Sequence, residues 1–188
     1  MGIFNELTLI RQLTFEDGNI RMLGQRMQIL PSDVLARYVF DIRDDSQAIL
    51  KLYISVKDSL REGFGLSIGK TYGFSFKDYS KWFVDLAMVA GWGKIVWEEL
   101  NEEKRGGVVT IQDSPIASYL KGKVKDPCDH FTRGFIAGAA SCAFKEDIDI
   151  IEIECEAVNA QKCMFIMGKK EDLKQKFPEA CATQLRIL

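Results

Sequence analysis

Five cysteines, Cys128, Cys142, Cys155, Cys163 and Cys181, all fall beyond position 127 of a 188-residue chain. The start, Met1-Gly2-Ile3-Phe4-Asn5-Glu6, has no basic segment followed by an apolar one, so a reducing cytoplasm is the expected compartment. Clustered thiols in odd number there point to metal binding or redox chemistry before structural disulfides. Cys155 and Cys163 lie symmetrically about Asn159, the residue of that glycine-free segment best able to turn left-handed. A hairpin there sets the two thiols face to face, and directly opposed residues of antiparallel strands sit about 4.5–5.5 Å apart. That separation suits a shared metal or a disulfide, and the reducing compartment favours the metal. Cys128 is placed in the first turn of a helix, whose N-terminus favours thiolate, the form that binds zinc. Three sulfurs then need one more ligand. Cys142 and Cys181 match no such pattern and read as packing residues.

The elements that position these groups follow from periodicity. Asp17-Gly18 between the β-prone stretches Leu7–Phe15 and Ile20–Leu30 predicts a hairpin, and Pro31 ends the second strand. Ser32 is the expected N-cap of a helix through about Arg43. A second helix from Ser46 carries Ile49, Leu52, Val56, Leu60 and Phe64 at helical spacing, and a third spans Lys77 to Ala90 until Gly91-Trp92-Gly93 stops it. Strands over Lys94–Leu100 and Val108–Gln112 form a hairpin. Asp113-Ser114-Pro115 opens a short helix, and another runs from Pro127 to Ala143, in which Gly134 and Gly138 admit a close backbone neighbour. Strands Ile148–Cys155 and Lys162–Met167 and a helix Lys170–Phe177 close the chain. Helices first and antiparallel strands last make the class α+β, helices packed on an antiparallel sheet.

Composition narrows the function. A chain 47% apolar and 28% charged buries its own core. Its net charge of −2 and lack of basic blocks give no electrostatic footprint for nucleic acid. The longest uncharged run, Gly134 to Phe144, is far short of a membrane span. With one histidine, no Ser-His-Asp set and no Gly-rich phosphate loop, the sequence offers little to run a reaction. Lys57, Lys70 and Arg133 read as solvated charges. Trp82, Phe83, Trp92, Trp97, Phe131 and Phe135 read as core or as the lining of a ligand pocket.

The spacing Cys128-x5-Gly134-x3-Gly138, then Glu152-x2-Cys155-x-Ala157-x5-Cys163-x-Phe165, resembles the vinyl-4-reductase domain family, which shares the fold of trafficking-complex subunits. The likeness is close over the last third, and Gly91-Trp92-Gly93 before a hairpin fits the family's middle section. It implies residues 1–30 as an N-terminal hairpin and dimerisation segment and 31–188 as a ligand-binding domain. In the family's phenol sensors three cysteines and a glutamate hold zinc, and the matching positions are Cys128, Glu152, Cys155 and Cys163. A strict two-residue pleat points Glu152 and Cys155 to opposite faces, so this set requires the strand to bulge or end between them. Glu154 also faces away from Cys155, and His130 lies roughly 200° around a helix from Cys128, so Glu152 ranks above both. Four protein ligands leave no open position, which makes the zinc structural. The implied function is a dimeric sensor or carrier for a hydrocarbon-like or aromatic ligand, with Trp82, Phe83, Trp92, Phe131 and Phe135 around it. The alternatives are a vinyl reductase or its subunit acting on a tetrapyrrole, for which no nucleotide fingerprint is found, and an assembly scaffold holding a buried acyl chain.

Overall fold

The computed structural model describes residues 13–22, 25–65, 69 and 72–186. Strands β1 (Leu13–Glu16) and β2 (Asn19–Met22) pair antiparallel across Asp17-Gly18, both at positive φ (47° and 74°), the geometry of a tight hairpin turn. The long second strand expected through Leu30 is instead β2 and β3 (Gln25–Met27), paired antiparallel. The glycine between them was the signal of reversal. The expected strand residues 7–12, and Lys70, lie outside the described residues.

Helix α1 (Ser32–Asp41) begins one residue earlier than its expected cap, with Pro31 in the cap position and Ser32 inside the helix. Helix α2 (Ser46–Asp58) is capped by Asp45, which accepts from the backbone of Gln47 and Ala48, and passes into a π-helical turn over Ser59–Gly65. Helix α3 (Phe76–Val89) opens with a capping box between Ser75 and Asp78. Strands β4 (Lys94–Asn101) and β5 (Gly106–Gln112), short helix α4 (Pro115–Leu120) and long helix α5 (His130–Phe144) follow. Then come β6 (Asp149–Glu154), β7 (Cys163–Gly168), α6 (Lys170–Lys176) and α7 (Pro178–Gln184). The main sheet runs β4-β5-β7-β6, antiparallel throughout.

Helix α5 lies at the centre, packed on β6 and β7 and flanked by α2 and α3. Gly134 and Gly138 permit this, because a Cβ at either would sit 2.6 Å from the Tyr53 or Lys57 carbonyl oxygen of α2. The close backbone approach expected of those glycines is therefore made to α2. Two charges read from the sequence as solvated are buried: Lys57 donates to Asp149 at 2.7 Å, and Arg133, 0% exposed, donates to the Gln184 side chain at 2.6 Å and stands 4.7 Å over the Tyr53 ring. Neutralising partners and a ring face offset the desolvation that makes such burial rare. No helix among the described residues is long and apolar enough to cross a membrane.

Candidate functional site

The four side chains singled out by spacing arrive from three places. Cys128 does not lie in the first turn of α5 but two residues before it. Asp129 takes the cap position, accepts from the Thr132 backbone at 3.2 Å and so delays the start to His130. Glu152 and Cys155 come from β6 and the residue just beyond it, and Cys163 is the first residue of β7.

The pleat conflict between Glu152 and Cys155 is resolved by a β-bulge. Glu152 pairs with Phe165, but Glu154 pairs with Met164, so one extra residue is inserted on β6. Ile153 and Glu154 face outward, while Glu152 is 1% and Cys155 2% exposed. Past the strand, a single 3-10 turn over Glu156–Val158 ends on Asn159 at φ 71°, the left-handed turn expected there.

The ligand-type atoms of Glu152, Cys155 and Cys163 all lie within 4.8 Å of one another, and the Cys128 and Cys155 sulfurs are 4.0 Å apart. Sulfurs sharing a tetrahedral zinc lie about 3.8 Å apart, from Zn–S bonds of about 2.3 Å. All five cysteines are free thiols. Cys155 is pulled well below an ordinary thiol because the neighbouring Cys128 and Cys163 thiols donate to its sulfur, and those two are pushed up for the same reason and by burial. Burial first, and then the charge of Cys155, push Glu152 well above the usual carboxylate range. Four acidic groups thus crowd a buried space that suits a cation.

The surroundings orient these donors. The Asp129 backbone donates to Glu152 Oε2 at 2.9 Å, whereas buried Oε1 has no protein partner. An orphaned carboxylate oxygen beside three thiols is the arrangement a metal satisfies. The Glu156 backbone donates to Cys163 Sγ at 3.4 Å, and the Glu156 carboxylate accepts from the backbones of Asp113 and Ser114. Gln184 brackets the Glu152 backbone, accepting from its N–H at 2.9 Å and donating to its carbonyl at 2.7 Å. Sequence reading missed Gln184 because α7 was not foreseen. Pro178, at the first turn of that helix, was the available signal. His130 is buried outside the cluster, and burial holds its imidazole neutral, pushed down to about 3.

The aromatic residues separate into two groups. Phe83, Trp92, Phe131 and Phe135 join Trp97 in one chain of ring contacts, with Trp92 and Phe135 centroids 4.0 Å apart, Trp92 and Phe131 5.4 Å, and Phe83 and Phe135 5.4 Å. Trp92, Phe131 and Phe135 are half-buried; Phe83 is fully covered. Trp82 belongs elsewhere, edge-on to Phe74 and Tyr79.

Residues 108–169, which span all four clustered side chains, match the sequence model of the vinyl-4-reductase domain. No curated protein matches the chain. Among solved structures it is similar to the phenol-responsive sensory domain of the transcription activator PoxR with phenol, at 19% identity and a TM-score of 0.77, over 95% of this chain and 94% of that one. It is also similar to a vinyl-4-reductase family protein from Methanocaldococcus jannaschii, at 14% identity and a TM-score of 0.47, over 75% and 82%. The first likeness shows the same fold along nearly the whole chain.

Proposed function

The chain carries a vinyl-4-reductase domain over residues 108–169, and from that premise we propose a sensory module for a small aromatic ligand, held in shape by a structural zinc on Cys128, Glu152, Cys155 and Cys163. The observation that carries this reading is the placement of α5. The helix begins beside the thiol cluster, and one turn apart it carries Phe131 and Phe135 into contact with Trp92. A zinc with four protein ligands supplies no open position for chemistry and acts as a cross-link between β6, β7 and the chain leading into α5. The half-buried rings of Trp92, Phe131 and Phe135 offer faces to an aromatic guest, the class of ligand seen in the PoxR sensory domain. A guest parting those rings displaces a helix anchored at one end, which gives binding a mechanical consequence.

The N-terminal segment 1–30 and α1 form the proposed homodimer contact. Leu30, Val34 and Tyr38 stand 56%, 52% and 49% exposed, an apolar surface suited to a second copy.

Thermal unfolding against phenol, methylphenols and catechol tests the ligand. At a hundredfold excess over Kd, binding adds about 2.7 kcal/mol, a rise in Tm of about 5–10 °C for a chain of this size. Phe135→Ala removes the rise. No shift with any phenol would contradict the reading.

A further inference from the structure

A cleft of about 820 Å³ opens on the other side of the metal cluster, between the start of α2, the segment leading into α5, and the end of α7. Its volume falls in the range of small-molecule sites, about 300–1,000 Å³. It is separate from the aromatic cluster, since none of the five rings lines it. Four cationic side chains, Arg43, Lys123, Lys125 and Arg186, face it against two acids, Asp44 and Asp126. Asp44 is already paired with Arg43 at 3.3 Å, so the wall is net positive on a chain whose net charge is −2. Ile49 and Val124 give the same cleft apolar footing. His130 also lines it, is 7% exposed, and keeps a buried Nδ1 with no protein partner. A buried polar nitrogen left unpaired in a native structure costs free energy that a bound group recovers.

We propose that this cleft is a second binding site, for a small organic anion in which a carboxylate or phosphate head meets Lys125 and Arg186, an apolar body lies on Ile49 and Val124, and a polar atom pairs with His130. Cys128 and Gln184 both line the cleft, so its occupant rests against one thiol of the cluster and against the side chain that brackets Glu152.

Calorimetric titration of the full chain with benzoate, phenyl phosphate, inorganic phosphate and neutral benzyl alcohol tests this. The expected order has benzoate or phenyl phosphate binding at least tenfold more tightly than either inorganic phosphate or benzyl alcohol. The exposed charge reversals Lys125→Glu and Arg186→Glu, together, lower that affinity at least tenfold while leaving the phenol-induced thermal shift unchanged. His130→Phe lowers it further, and the surface double variant carries the test should His130→Phe fail to fold. Absence of millimolar binding by either aryl anion overturns the site, as does binding that ignores the charge reversals or inorganic phosphate that matches phenyl phosphate. A phenol shift with no anion binding would sink this second site alone and leave the sensor reading standing.

Discussion

Glu152 reaches the thiols because β6 carries one residue too many. In a regular strand its carboxylate and the Cys155 sulfur point apart; the bulge beside Ile153 brings both inward. The spacing of Cys155, Asn159 and Cys163 was legible in the sequence because a hairpin turn is a local matter. The bulge was legible only as a requirement, since the extra residue is set by pairing with β7. Glu152→Gln preserves the shape of the side chain and removes an anion. The prediction is a loss of at least tenfold in zinc affinity, read by competition with a chromophoric chelator. The chelated variant keeps the Tm of the chelated parent, because the buried Glu152 carboxyl is pushed toward its neutral form without a cation.

At the scale of elements, α5 is held by close contact, a cap and a buried charge. Its glycines could be read from the sequence as sites of close approach, but not that α2 would be the neighbour, for that depends on how three helices share one sheet face. Gly138→Val pushes a branched side chain into the Lys57 carbonyl and Leu60. Overpacking of this kind costs about 1–3 kcal/mol, so urea unfolding is expected to show a lower midpoint with an unchanged slope. Ser114 links two elements, receiving the Ala117 backbone at the start of α4 and donating to Asp129 at 2.7 Å. Its replacement by Ala is expected to cost about 1–2 kcal/mol in the same assay. Lys57 and Arg133 were misread as solvated because charge alone predicts exposure. Their partners, Asp149 and Gln184, lie 92 and 51 residues away in sequence, and no local pattern announces them.

For the whole molecule, the order of helices and strands and the four clustered side chains were readable because each rests on periodicity or spacing. The second terminal helix and the polar cleft were not, since both arise where distant segments meet. The exposed Val34 and Tyr38 of α1 lead to a further expectation: Val34→Glu with Tyr38→Glu converts a dimer to a monomer in light scattering without loss of the circular-dichroism spectrum. A monomeric parent protein would remove that contact from the account. The claim on which the rest depends is that a metal ties β6 and β7 to the entry of α5. Its most direct measurement is elemental analysis of protein purified under reducing conditions with zinc supplied, paired with thermal unfolding of the parent and Cys155→Ser. The account predicts one zinc per chain, lost in the variant together with more than about 5 °C of Tm, a loss of at least ~1–2 kcal/mol. Metal-free parent protein, unfolding at the same temperature as the variant, would contradict it.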